Sequence, residues 1–230
     1  MDWFKIFIVI ALITLHSFAT DYSWKHLGLY EGVELYTSSE ASGDILPFKA
    51  VATFQVPAEK IVMAVLDYDK KKLWATRLKS LKMHKIIGPG HFLFSEYYSA
   101  PWPLEDREFL MEGKVSKNGN ITTFLGQSSP EHQFRDKKHI LADIKLMQLD
   151  VIKIDEDTTR LELSFMGNPK GYIPTWFINM VQKSFPGKFL HQLVEHAKSA
   201  KNVESAAYTT WVKSLSLVTE SSERKITNSN

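Results

Sequence analysis

Cysteine is absent from the 230-residue chain, which excludes disulfides, thiolate metal sites, a cysteine nucleophile and a lipidated cysteine. An exported chain of this length is stable on its core alone, so the lack does not argue against export. Neither sign of charge dominates: 28 Lys and Arg against 26 Asp and Glu leave +2. A large nucleic-acid surface needs clustered basic residues and is not expected. The run Asp69-Lys70-Lys71-Lys72 reads as a solvated helix end. Catalytic signatures are missing too: there is no Gly-x-Ser-x-Gly elbow, no His-Glu-x-x-His and no phosphate-binding glycine loop. His191 and His196 stand five apart, on different faces of a helix. His132 and His139, near Asp136, match no metal-ligand spacing. No catalytic residue, metal or cofactor is expected.

Apolar and aromatic residues are plentiful: 44% of the chain is hydrophobic and 12% aromatic, with 14 Phe and 6 Trp. That suits one substantial domain with a thick core or an apolar cavity. The first residues stand apart. Lys5 precedes the apolar run Ile6–Leu15, too short to span a bilayer. His16-Ser17-Phe18-Ala19 follows, with small residues where a signal peptidase that cuts after Ala19 would look. Residues 1–19 are expected to be a signal peptide, with an uncleaved anchor as the alternative, and the mature protein periplasmic or extracellular.

Beyond Trp24 short β-prone runs alternate with turn signals. Val33–Thr37 is one, and Phe48–Phe54 alternates with Phe48, Ala50, Ala52 and Phe54 on one face. Pro57 opens a helix whose Ala58, Ile61, Val62 and Val65 form an apolar stripe. Strands are predicted at Leu81–Ile87, Phe92–Ala100, Phe109–Lys117, Ile121–Gln127, Ile140–Ile154 (with room for a bulge) and Arg160–Gly167. Gly88-Pro89-Gly90, Asn118-Gly119 and Asp155-Glu156-Asp157 supply turns, which makes the sheet antiparallel. A long helix follows over Thr175–Lys198, to be kinked by Pro186-Gly187. Ala207, Trp211 and Leu215 suggest a further short helix before a polar, frayed tail from Glu220.

Several segments, in this order, resemble the StAR-related lipid-transfer (START) family. Gly32-Val33-Glu34-Leu35-Tyr36 is similar to its opening strand. Phe48–Asp67 followed by Trp74 is similar to its second strand, first helix and helix-end tryptophan. Pro101-Trp102-Pro103-Leu104-Glu105-Asp106-Arg107-Glu108-Phe109 resembles its proline-rich loop closing on Arg-Asp-Phe. Asn168-Pro169-Lys170-Gly171-Tyr172-Ile173-Pro174-Thr175-Trp176-Phe177-Ile178-Asn179 resembles the entry to its C-terminal helix.

The resemblance implies an α+β helix-grip fold, a curved antiparallel sheet wrapped around a long C-terminal helix with an internal hydrophobic cavity. The domain would occupy residues 24–200, with 201–230 a C-terminal extension. It implies a non-catalytic protein that binds one phospholipid, sterol or fatty-acid-like molecule for transfer or sensing, and that acts as a monomer with transient membrane contact. The other use of such a cavity is a cyclase or aromatase. On this basis Phe177, Met180, Val181, Phe185 and Phe189 would face the lipid, with Glu96 and Tyr98. Trp102 and Leu104 would meet lipid at the gate, formed by the Ala100–Asp106 loop against the helix from Thr175. Arg107 and Trp74 would be structural, Arg107 by fixing the loop through Glu105, Asp106 or a backbone carbonyl. In the family's sterol-binding branch an acidic residue at the place of Glu96 pairs with an arginine. Counted from Arg107-Glu108-Phe109, the arginine's place falls on Gly113. The pair is then broken unless another cation stands in, which counts against a sterol. Strand alternation equally allows Glu96 to face solvent.

Overall fold

The computed structural model describes residues 23–38 and 46–227, with side chains to residue 217. The expected signal peptide, residues 1–19, lies outside them. Ten strands form one curved sheet: β1 Trp24–Tyr30, β2 Val33–Ser38, β3 Leu46–Gln55, β4 Leu78–Gly88, β5 His91–Tyr98, β6 Arg107–Asn118, β7 Ile121–Ser128, β8 Ile140–Leu141, β9 Asp143–Lys153 and β10 Thr158–Asn168. The spatial order is β1-β2-β3-β10-β9-β7-β6-β5-β4, with β8 joined to β6. Apart from the parallel β6–β8 contact every pairing is antiparallel. Helices α1 Ala58–Leu66, α2 Thr175–Lys183, α3 Phe185–Lys198 and α4 Ala206–Thr227 complete the fold.

Helical spacing explains the central packing. Leu190, Leu193, Val194 and Ala197 form one fully buried face of α3, and α1 lays Ile61, Val62 and Val65 into the same core. Gly187 allows α3 to approach β1, because a Cβ there would come within 2.5 Å of the Tyr30 ring.

Four sequence expectations need correction. β1 was not foreseen: its burial pattern is mostly exposed, so the alternation that marks a half-buried strand is faint. The segment Ile140–Ile154 is two strands, since Ile140 and Leu141 pair with the start of β6 while β9 pairs with β7 and β10. The long helix is two helices that meet at Ser184, and Pro186 falls in the first turn of α3, where a missing N–H is harmless. The last helix is not short: α4 is helical through Thr227, past the point where a frayed tail was expected.

Candidate functional site

A cavity lies between the concave face of the sheet and helices α2 and α3. It gives the centre of a water-sized sphere about 130 Å³ of room. Phe177, Met180, Val181, Phe185 and Phe189 line it from the helices, at the positions expected. From the sheet come Phe48 and Phe165, whose rings stack at 5.0 Å, together with Tyr98 and Glu96. An inner chamber of about 70 Å³ continues beyond it. Met111, Met147, Leu163 and Phe189 line both spaces and form the waist between them. Two of the four are methionines, which re-pack easily.

The walls are mostly apolar, with Arg77 and Arg107 on the main cavity, Lys114 on the inner chamber and one ion pair at the waist. Glu96 is fully buried on β5, and the possibility that it faces solvent is excluded. Its carboxylate is ion-paired with the Lys71 ammonium and accepts a hydrogen bond from the Tyr98 hydroxyl at 2.9 Å. Burial, reinforced by that carboxylate, holds the Tyr98 phenol well above its ordinary pKa, so it stays protonated. The basic run Asp69–Lys72 is therefore not a uniformly solvated helix end. Lys71 is only 7% exposed, on a 3-10 turn over Lys71–Leu73. The Lys71 carbonyl accepts from the Trp74 and Ala75 amides at 3.2 and 2.8 Å, which pins the turn against the cavity. Lys71 thus supplies the cation that Gly113 does not. Gly113 has no room for a larger side chain, since a Cβ there would come within 2.8 Å of the Phe94 ring. Lys71 Nζ lies 6.0 Å from the Trp74 ring centre and 5.9 Å from that of Phe94. Trp74 is buried edge-on against Phe189, and its indole N–H has no partner among the described residues.

Glu96 opens on the main cavity and Lys71 on the inner chamber, so the ion pair straddles the waist. Sequence reasoning missed Lys71. Its only signal was its place three residues before Trp74, on a helix-end turn that must fold back toward the sheet.

Arg107 closes the mouth. Its guanidinium donates to the carbonyls of Glu105, Pro169 (3.3 Å) and Lys170 (3.2 Å), and sits 5.8 Å over Phe177. It thereby links the Ala100–Asp106 loop to the entry of α2, through backbone carbonyls alone. Burial lowers its pKa, but guanidinium remains charged at any physiological pH. Asp106 accepts the Ala100 amide at 3.1 Å and is ion-paired with Lys79, which folds the loop on itself. Trp102 and Leu104 do not line the cavity. Trp102 is 91% exposed on the loop, and Leu104 is half-buried within it. Tyr172 and Trp176, at the entry of α2, are exposed as well. Among the described residues no group of three or more His, Cys, Asp or Glu is arranged to hold a metal, and no described helix is long and apolar enough to cross a membrane.

The START domain family profile matches residues 19–202. The phosphatidylcholine transfer protein of Rattus norvegicus is 24% identical over 182 residues, covering 76% of this chain and 84% of its own. That of Bos taurus is 22% identical over 185 residues, covering 78% and 86%. Among solved structures, human STARD10 superposes with a TM-score of 0.70 at 15% identity, covering 77% of this chain and 74% of its own. The STAR-related lipid transfer protein of Xanthomonas axonopodis does so at 0.66 and 20% identity, covering 76% and 99%.

Proposed function

The chain belongs to the START domain family, and on that footing we propose that it binds one phospholipid with a zwitterionic headgroup, as a carrier or sensor that does no chemistry on it. One observation carries this: a buried ion pair, Lys71–Glu96, at the waist of a mostly apolar cavity. Exchanging such a pair for apolar side chains is often neutral or stabilising, so fold stability alone does not account for it. A headgroup with a phosphate and an ammonium can take its place between the two residues. Lys71 then meets the phosphate and Glu96 the ammonium, and the net charge of the site is unchanged. An anionic headgroup that takes Lys71 at the waist leaves the Glu96 carboxylate without its cation in a low-dielectric site, which is unfavourable.

The apolar walls supply affinity, at about 0.8 kcal/mol per buried methylene. Relatives whose names give phosphatidylcholine as the transferred lipid have a ligand of this charge type. Glu96 is engaged by Lys71 and Tyr98, and no histidine lines either chamber. The polar groups are thus arranged to hold a ligand more than to move protons on it. Exposed Trp102 and Tyr172, beside the mouth, suit contact with a membrane interface during loading.

The test is native mass spectrometry of the protein from about residue 20, with extraction and identification of any bound lipid. One zwitterionic phospholipid per chain, exchanged from vesicles but not replaced by phosphatidylglycerol, is the expected result. A bare protein that takes nothing from phosphatidylcholine vesicles, or one that prefers anionic lipid or sterol, overturns the proposal.

A further inference from the structure

Two aromatic residues, Tyr68 and Phe92, line the inner chamber on one side. Tyr68 and Phe92 pack edge-to-face with centroids 5.0 Å apart, and both also line a groove on the outside of the domain. In the measure that gives the two chambers about 130 and 70 Å³, this groove offers about 470 Å³. It runs between edge strand β4 and the start of α4. Leu66, Leu81, Met83 and Ala207 line it, with Asp69 and Lys72 among its polar residues. Exposed Ile86 also belongs to it.

Helix α4 lies beyond residue 202, where the family match ends. Two contacts pin it across this end of the sheet. The Ser205 hydroxyl donates to the Leu66 carbonyl at 3.0 Å, tying the segment just before α4 to the end of α1. Trp211 is buried on the β4–β5 turn at Gly90, whose φ is +68°; a Cβ there would stand 2.7 Å from the indole ring.

We infer that Tyr68 and Phe92 form a second gate, opposite the Arg107 mouth, and that the groove beneath α4 takes the distal end of an acyl chain of the bound lipid. This rests on the carrier function proposed above. The two chambers are small beside the groove, and Tyr68 and Phe92 are the residues the inner chamber and the groove share, so rotation of these rings is the route that joins the two. Side-chain rotations of this kind are fast compared with lipid exchange. Tyr68 is half-buried and Phe92 buried, the pattern of a partition whose tyrosine partly meets solvent. Burial, and secondarily the Glu96 charge, pushes the Tyr68 phenol pKa far up. The two gate rings therefore stay uncharged. Each space shares lining residues with the next, from main cavity to inner chamber to groove, and that adjacency to the lipid cavity selects an acyl chain over a separate peptide or a second copy of this chain as the occupant.

Thr210 is exposed and lines the groove, so Thr210→Trp fills it without touching either chamber. Affinities for dioctanoyl and dioleoyl phosphatidylcholine are compared with the unaltered chain. Thr210→Trp should weaken dioleoyl binding about tenfold, the loss of roughly two buried methylenes, while dioctanoyl binding stays within about twofold. Met83→Trp, on the β4 side, is the second variant. Independently, a phosphatidylcholine with a diazirine at the end of one acyl chain should label peptides from β4 and from residues 205–210. Labels confined to the two chambers, or equal effects of the variants on both lipids, overturn the second gate and leave the carrier function standing. Failure of the unaltered protein to bind either lipid overturns the carrier function instead.

Discussion

Two glutamates, twelve residues apart in sequence and on neighbouring strands, are both fully buried, yet on opposite faces of the sheet. Glu96 pairs across the strands with Phe109 and Glu108 with Tyr97, so the pleat sends one carboxylate into the cavity and the other to the convex face. Glu108 is met only by neutral, fixed donors. Its Oε1 accepts the hydroxyls of Ser95 at 2.8 Å and Tyr97 at 3.2 Å, and its Oε2 accepts the Asp136 amide at 2.8 Å. His84 Nε2 completes the cluster on Ser95 Oγ at 2.8 Å. Glu96 instead is held by the Tyr98 hydroxyl and one cation, at the end of a lysine stem beside open space. A buried carboxylate saturated by short, rigid donors holds a loop in place. One held by a lysine ammonium at a cavity can exchange partners, and that capacity is what a binding site needs.

Removing either carboxylate's environment separates the two roles. The largest effect is expected for Glu108→Leu, which strands two hydroxyls and an amide and removes the anchor of the 129–139 segment. Loss of about 3–5 kcal/mol is anticipated, read from urea unfolding. Lys71→Met should cost about 3 kcal/mol, because it leaves Glu96 uncompensated in a dry site. Adding Glu96→Leu should restore most of that stability but not uptake of zwitterionic phospholipid, and no such rescue of function from stability applies to Glu108. If the double variant still binds phosphatidylcholine, the ion pair has no part in recognition.

The smallest effect is a pH dependence. Burial, and then Lys82, lower the His84 pKa, against an opposing pull from Glu108. His196 is lowered by burial too, with Asp67 opposing and Lys70 and Lys201 adding to the shift. With folded values below the ordinary value of about 6.5, the unfolded chain binds more protons in that window, so stability rises with pH there. Calorimetry should show Tm falling as the pH drops below about 6.5, with His84→Asn removing part of the slope. A Tm that is flat or rises on acidification through that window contradicts the assignment.

Part of the cavity was legible in the sequence, through periodic patterns and the family resemblance together. Phe177, Met180 and Val181 follow helical spacing, but only the resemblance marked them, with Phe185 and Phe189, as cavity-facing; the Asn118-Gly119 turn sets a hairpin in which Asn118 pairs with Ile121. Arg107 was legible as a clamp, since a guanidinium beside a proline-rich loop has several acceptors within reach. Lys71 was not. Within Asp69-Lys70-Lys71-Lys72 nothing distinguishes the buried lysine from its neighbours, and only the 3-10 turn after α1 aims it inward. Gly113 was legible as the absence of an arginine, but not as the space filled by Phe94.

The sequence by itself determined the antiparallel strands, the helices, an apolar interior and the absence of thiol chemistry. These follow from local periodicity, turn residues and composition, which need no long-range information. Tertiary structure alone decided which charges are buried, which face of β5 carries Glu96 inward, and that α4 lies across the closed end of the sheet. Each of these depends on register and on contacts between residues far apart in the chain, where a one-residue shift turns a side chain from the core to the solvent.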